Sequence, residues 1–425
     1  MRILVLTPFY APDLGPSAAL YEMLSEELVR LGHAVSVISA VPHYPSGRVP
    51  PGFRGRWVSR EQRNGVDVTR VWVPSVNRSR LALRLLSFLC YQALAAAVAL
   101  RRRCDVLIAS SPAFEVALPL FLQAFVRRFP FLYSVHEMYP EVGVALGIFR
   151  RRALARLVEG LEQRACRRAL RVRVLSEGYR NILQAKGVPG AKLAVIGDWV
   201  DPDFIRPLPR PNSFSSRFGL ADSFVVMYAG NLGPTQGLEH VLETAKLLAA
   251  EPSIRFVFVG DGSARAGLEE RVKADALANV VFVPFQPRAL LPEVLAAANV
   301  SLLTLRKGLG ADSVPSKLYS ILASARPLIA AVDQGTDIAK LVSEAGCGLR
   351  VPPEDPEALR DAVLELFRDT GKCRWMGENG RDYVVVCGSK QWAAERFDEL
   401  LRPAAPSRNQ PAREELPERR PVLHG

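Results

Sequence analysis

The stretch FVVMYAGNLGPTQGLEHVLETAKLLA, residues 224–249, holds an apolar run, a glycine-rich turn and a helical stripe in succession. The run FVVMYAG is continuous rather than alternating, which predicts a strand buried on both faces of a parallel sheet. Leu238, Val241, Leu242, Ala245, Leu248 and Ala249 then recur at helical spacing. Between them stand Gly230, Gly233 and Gly237, with Pro234 expected in the first helical turn, where a missing N–H costs nothing. Gly237 is expected in that same turn, keeping side chains off the helix mouth. Free N–H groups and the helix dipole make such a mouth an anion site, and a diphosphate is the expected occupant. The bland alternative is a strand-to-helix turn that uses glycine for backbone reasons alone.

Outward from this stretch the strand-then-helix alternation repeats. Downstream, strands are predicted at 254–260, 279–285, 299–305 and 326–332. Upstream, they are predicted at 2–7, 34–40, 66–73, 104–110, 131–137, 171–177 and 192–198, with an amphipathic helix over 17–31. Between the two series lies DWVDPDFIRPLPRPNSF (198–214), rich in proline and acid and without a period, as in a linker. The expected fold class is therefore α/β: two doubly wound, Rossmann-like domains, each with a central parallel sheet, facing across a cleft. Ligands of such sheets sit at the carboxyl ends of the strands, so the cleft is the expected site. The first domain is expected over 1–200 and the second over 201–385, with a helix at 386–402 returning to the first. The segment 403–425 has many prolines, mixed charge and little apolar content, and is expected to be disordered.

A length of 425 residues suits two domains of ordinary size. The net charge of +12 favours anionic company, whether phosphorylated small molecules, anionic lipid or nucleic acid. No aromatic–basic RNA module is visible, which disfavours the last. The six cysteines form no CxxC pair and no zinc-ligand spacing, so they read as reduced, mostly buried thiols of a cytoplasmic protein. The opening MRILVLTPFY is too short in its apolar part for a signal peptide and reads as a first strand. Leu85–Leu100, LLSFLCYQALAAAVAL, carries no charge but falls short of the ~20 residues of a spanning helix. It is expected as a helix covered on most sides, with a membrane-dipping helix as the alternative. The segment 149–174 is strongly basic, with Leu154, Leu157, Val158, Leu161 and Ala165 as its expected apolar stripe. Its arginine face is either solvated or set against anionic lipid.

Four more places invite chemistry. In PFYAPDLGPSAAL (8–20), Gly15 and its small neighbours Ser17, Ala18 and Ala19 leave room for a ligand to approach the backbone. The pattern is not GxGxxG, and no acid closes the second strand, so a nicotinamide enzyme is disfavoured. In RKGLGADSVPSKLYSILASARPLIA (306–330), a loop carries Arg306, Lys307, Asp312 and Ser313, and a helix begins near Pro315 with Ser316 and Lys317 in its first turn. The helix dipole disfavours a lysine there, a conflict that a bound anion removes. The alternative is a lysine facing solvent. His136 ends FLYSVHE and is followed by Glu137, Tyr139 and Glu141; it is either a site residue or a histidine satisfied by neighbouring loops. Asp201 and Asp203, in DPD, are of metal-ligand type, but their place in the linker favours a turn.

The order of AGNLGPTQGL, FVGDGSARAGLEE, VVFVPFQPRALLPEVLAAANVSLLTL and VPSKLYSILASARPLIA resembles the retaining glycosyltransferases of family 4, which have the GT-B fold. DWVDPDF resembles the junction between their two domains, and the likeness runs over roughly residues 1–400. Within the family the chain is similar to bacterial enzymes that build O-antigen, capsule and colanic-acid-type polysaccharides, including fucosyl and N-acetylfucosaminyl transferases. The resemblance implies that Gly230, Asn231, Gly233, Gln236 and Gly237 line the donor diphosphate, with Gln236 where many relatives carry a basic residue. It implies that Lys317 and Arg306 supply positive charge to the leaving nucleotide, with Ser316 and Gly15 also in the donor-binding set. Asp312 and Ser320 stand where the family often has two glutamates, so Asp312 would meet sugar hydroxyls and Ser320 the ribose. His136 would face the reacting sugar, and Glu137 would hold His136 or touch the acceptor.

The implied activity is retaining transfer of a sugar from a nucleotide diphosphate, UDP-linked, to a polyprenyl-diphosphate-linked or oligosaccharide acceptor. It needs no cofactor and no metal, and is placed at the inner face of the plasma membrane. A nucleotide-sugar 2-epimerase of the same fold and a non-catalytic nucleotide-sugar-binding scaffold remain as alternatives. The oligomeric state is left open.

Overall fold

The structure, a computed structural model, describes residues 1–15, 17–44, 46–75, 81–139, 152–309 and 314–405. Asp312, Ser313 and Glu141 lie outside the described residues, as does most of the tail expected to be disordered over 403–425; its first residues, 403–405, are described and belong to the end of a short 3-10 turn, Arg402–Ala404. The described chain divides into two compact units, Met1–Gly197 with the chain from Lys390, and Asp198–Ser389.

The first unit is built on an eight-stranded sheet. Its strands are β1 (Arg2–Leu6), β2 (Ala34–Ala40), β3 (Val58–Arg63), β4 (Val66–Val71), β5 (Val106–Ser110), β6 (Phe131–Ser134), β7 (Arg171–Val174) and β8 (Leu193–Val195). They lie in the order β3-β4-β2-β1-β5-β6-β7-β8. All neighbours are parallel except β3 and β4, which form an antiparallel hairpin at the edge. The sheet is thus parallel through its centre, as expected, with an antiparallel hairpin added at this edge. β3, VSREQR, is a polar edge strand with no fully buried residue, so it carries no apolar signal. The hairpin turns at Asn64 and Gly65, both at positive φ, as a two-residue connection of this hand requires.

The apolar faces of β1, β2 and β5 pack beneath helices Ala18–Arg30 and Leu81–Leu100. Helix Lys390–Leu401 lies against helix Ala18–Arg30, where Lys390 meets Glu27 at 3.4 Å. His33, just past the end of that helix, meets Asp398 at 2.9 Å. Helix Arg152–Arg168 buries Val158, Glu162, Ala165 and Cys166, whereas Leu154 and Leu157 are exposed. The stripe read from the sequence is therefore rotated. Glu162 takes an inward place because the backbone N–H of Ala113 donates to it at 2.5 Å, and the Tyr133 hydroxyl donates to its other oxygen. A buried carboxylate is tolerable only with such donors.

The second unit has six parallel strands: β9 (Phe224–Ala229), β10 (Ile254–Val259), β11 (Val280–Val283), β12 (Val300–Thr304), β13 (Leu328–Ala331) and β14 (Gly348–Val351). Their order is β11-β10-β9-β12-β13-β14, which is the doubly wound dinucleotide-fold order 3-2-1-4-5-6. β9 and β12 are buried almost throughout, as continuous apolar strands in a covered sheet should be. Each fully buried Val, Leu or Phe there contributes about 1.5–3 kcal/mol. β14, GLRV, was not expected as a strand; it is short, half-buried and at the edge. A Cβ on Gly348 would stand 1.9 Å from the Leu328 carbonyl oxygen, so only glycine fits this pairing.

In the linker, Asp201 accepts hydrogen bonds from the N–H groups of Asp203 and Phe204, at 3.0 and 3.1 Å, which makes DPD a turn.

Candidate functional site

In an open sheet of this order, ligands bind where the strand order reverses. In the second unit that is the gap between β9 and β12, at their carboxyl ends. The chain that leaves there is 230–237 and, among the described residues, 305–309 and 314–316, within the two glycine- and lysine-bearing segments of the sequence. Sequentially distant residues are joined by the topology.

The first loop is shaped by glycine at two levels. Gly230 has φ +144° and Gly260, at the end of the neighbouring strand β10, has φ +142°. A Cβ on Gly260 would lie 2.0 Å from the Gly230 carbonyl oxygen, so the two strand ends touch backbone to backbone. Asn231 is exposed, and its backbone carbonyl accepts a 2.9 Å hydrogen bond from the Tyr228 hydroxyl. Gly233 begins a single 3-10 turn, Pro234–Gln236, and Gly237 follows in the left-handed region at φ +60°. Only then does helix Leu238–Leu247 start. The sequence reading placed Pro234 and Gly237 inside the helix; the structure puts both before it. A reversal of backbone hand at Gly237 is what separates the short turn from the helix, and glycine adopts it without strain.

Lys317 is the first residue of helix Lys317–Ala323. Its stem runs over Gly230, with Cδ 3.7 Å from where a Cβ would sit. Its ammonium lies 3.7 Å from the centre of the Tyr228 ring. The residue is only half-buried, but its Nζ is covered and finds no hydrogen-bond partner among the described residues. Burial pushes the ammonium down to a pKa of about 7. The ring quadrupole compensates a buried cation in part. A covered cation without an acceptor is costly, and an anion is the group that would relieve it.

Arg306 is differently placed. Its Nε donates to the Pro234 carbonyl at 2.6 Å, and its guanidinium pairs with Glu239 and, at 3.5 Å, with Glu354. Its backbone N–H donates to Thr235 at 3.0 Å. The arginine thus ties the two loops together, and its charge is already matched by carboxylates. Gln236 is held by the Tyr228 hydroxyl at 3.2 Å and donates to Thr235 at 3.0 Å. Ser316 is exposed at the helix start and makes no capping hydrogen bond, while Ser320 lies one turn on, half-buried. The structure therefore brings Gly230, Gln236, Lys317 and Tyr228 together. Tyr228 was missed in the sequence, where it reads simply as one more residue of an apolar strand.

In the first unit the order reverses between β1 and β5. Gly15 lies in the loop after β1, where a Cβ would stand 2.3 Å from the Phe9 ring. Its N–H donates at 2.9 Å to Asp13, whose other oxygen accepts from the His43 N–H at 2.9 Å. The buried Arg70 of β4 donates to the Tyr10 carbonyl at 2.9 Å and to Ala11, and pairs with Glu61. His136 follows β6, which ends at Ser134, so it is a loop residue rather than a strand residue. Its Nδ1 is 3.2 Å from Arg173 and its Nε2 is 3.1 Å from the Tyr21 hydroxyl. A guanidinium only donates, so Nδ1 accepts and the ring proton resides on Nε2. Arg173 also donates to the carbonyls of Ile196, at 2.6 Å, and Gly197, at 2.7 Å. The carboxyl of Glu137 beside it is raised above the ordinary range by desolvation, against a hydrogen bond from Tyr139. Arg70 and Arg173 were missed in the sequence. The available signal was a charged residue inside an otherwise apolar strand, in VDVTRVWV and RVRVLSE.

Among the described residues, no group of three His, Cys, Asp or Glu side chains is placed to hold a metal ion.

Comparison with known proteins agrees with this architecture. The family model described as glycosyl transferase 4-like domain matches residues 15–199, and that for glycosyl transferases group 1 matches residues 213–383. The chain belongs to glycosyltransferase family 4. It is 28% identical to WbjE of Pseudomonas aeruginosa, named as a probable glycosyltransferase, over 95% of this chain and 98% of that one. It is 26% identical to WcaI of Escherichia coli (strain K12), named for colanic acid biosynthesis, over 86% of this chain and 92% of the relative. Anabaena Alr3699/HepE, solved in complex with UDP and glucose, superposes with a TM-score of 0.70 at 16% identity, covering 95% of this chain and 99% of that one. The shared fold is GT-B.

Proposed function

We propose that the protein moves a sugar, with retention of anomeric configuration, from a UDP-linked donor to a lipid-carried or oligosaccharide acceptor in bacterial surface polysaccharide assembly. The observation that carries this reading is the covered ammonium of Lys317 over Gly230, unpartnered among the described residues, at the reversal point of the second sheet. The diphosphate would rest on the backbone of 230–237, with Lys317 against it. Departure of the nucleotide is the hard step, and a fixed cation in a covered site stabilises the charge that builds there. The UDP held by HepE supports the choice of donor, and the name of WcaI supports the polysaccharide role. No metal is needed, because the lysine and the backbone N–H groups supply the positive potential. His136, held as a neutral ring with its proton on Nε2, would present that N–H to the donor sugar, exchanging its bond with Tyr21 for one to a hydroxyl. Glu137 would meet the acceptor, Asp312 the sugar hydroxyls and Ser320 the ribose.

The deciding experiment offers a panel of nucleotide sugars with a membrane extract, and scores nucleotide release and lipid-linked product. One donor is expected to give both. Conversion of UDP-sugar without an acceptor would instead mean a 2-epimerase. Binding without any turnover, with a Lys317→Ala gene still complementing a deletion strain, would mean a scaffold.

A further inference from the structure

The helix Leu81–Leu100 departs from expectation in a way the transfer reaction does not use. The sequence predicts a helix covered on most sides. In the structure it keeps one face open, with Leu86, Leu89 and Leu100 each about half exposed, at 48%, 53% and 48%. Alongside it runs the helical segment Ala117–Val126, anchored by Gln92, which donates to the Phe114 carbonyl at 2.7 Å and accepts from the Leu118 N–H at 2.9 Å. That neighbour leaves Leu118, Phe121 and Val126 exposed as well, at 42%, 52% and 58%. Neither 86–100 nor 116–126 contains a charged residue. Single exposed leucines are ordinary; six on two adjoining helices, with no charge between them, are not.

At their carboxyl ends both segments run into arginines. Arg101, Arg103 and Arg128 are exposed there, with no acidic partner among the described residues. Arg127, beside them, is turned inward to the carbonyls of Leu100 and Arg102, at 3.0 and 2.8 Å. No described helix is long and apolar enough to cross a bilayer.

We propose that this face is a monotopic membrane-docking surface. Leu86, Leu89, Leu118, Phe121 and Val126 enter the acyl boundary, and Arg101, Arg103 and Arg128 meet anionic headgroups. Such a surface combines buried apolar area with attraction to an anionic leaflet. A second copy of the chain fits less well. A twofold contact pairs a patch with itself, so the uncompensated arginines of the two copies would rim a single apolar contact without any acid to oppose them. The proposal does not rest on the sugar-transfer reading, since binding to lipid needs no turnover.

Vesicle flotation tests it, with phosphatidylcholine alone and with phosphatidylglycerol added. The native chain is expected to float with the anionic vesicles. The double variant Leu89→Glu/Phe121→Glu should lose about tenfold or more of that binding. Arg101→Glu/Arg128→Glu should lose the preference for anionic vesicles. A Phe121→Trp variant should show a blue-shifted emission on anionic vesicles, as an indole does on leaving water. The proposal is overturned if the native chain stays with the buffer, if the double Glu variant floats equally well, or if that variant merely converts a dimer to a monomer on gel filtration. Calorimetric UDP binding on the same samples checks folding and separates the two readings: intact UDP binding without flotation sinks the docking surface alone.

Discussion

Two sheets of like topology reverse their strand order at two points, and the buried ions behave differently at each. Around the reversal in the first unit, Asp13, Arg70, Glu162 and Arg173 all have partners within the protein. At the reversal in the second unit, Lys317 has none among the described residues. Both loops use glycine, and both sit at carboxyl ends of strands. The contrast shows that the fold alone does not demand a ligand. What demands one is a charge brought under cover without its counterion. Among the described residues, the buried ions at the first point are all paired, whereas the cation at the second is left for an anion to meet.

The largest effect should come from removing that charge. Lys317→Ala is expected to lower turnover about 10²–10³-fold, measured as nucleotide release, as loss of one preorganised group typically does. Lys317→Met should at the same time raise the unfolding midpoint of the ligand-free protein, since it removes a cation that burial disfavours. If Lys317→Met were no more stable than the native chain, the contrast between the two units would fail.

Arg173→Met is the matching change in the first unit. It strips donors from two carbonyls and from His136, and should cost about 3 kcal/mol or more in urea unfolding. UDP affinity, measured by calorimetry, should stay within about twofold, because Arg173 touches none of the residues assigned to the diphosphate.

The pH dependence is a smaller and graded test. The Lys317 ammonium lies near a pKa of about 7 when unliganded, below its ordinary 10.5. A diphosphate binds the protonated form. UDP affinity should therefore be full below about pH 7 and fall above it, by up to about tenfold per pH unit. The linked stability runs the other way: the lysine costs most below about 7, and the penalty recedes as pH rises towards 10.5. A Lys317→Ala protein should bind UDP with no such slope. The smallest change is Gln236→Arg. It places a second cation beside the 234–237 turn and should tighten UDP binding by up to about tenfold. No change would mean that residue 236 faces away from the diphosphate.

Much of the architecture was legible because parallel strands buried on both faces are written as short apolar runs, and β9, β10 and β12 are of this kind. β3 escaped because an edge strand has one wet face and few packing demands; its polar VSREQR resembles a loop. Asn64-Gly65 was the signal that marks its hairpin. The stripe on helix Arg152–Arg168 was misread because periodicity assumes that glutamate faces water, and Glu162 found two donors inside. Gly230, Gln236 and Lys317, singled out by spacing and the dipole argument, do come together around Tyr228. Tyr228 and Arg173 were not singled out, because their importance lies in what they touch across the sheet, and no spacing in the chain records that.

The clamp made by Arg306 bears on anyone who would retune donor choice by swapping loops. Its four attachments, to Pro234, Thr235, Glu239 and Glu354, come from two stretches far apart in the chain. A graft of 305–309 that lacks this arginine would leave Glu239 and Glu354 without the cation they share. A transplanted specificity loop must bring its whole ionic knot, or arrive in a scaffold that already ties the same one.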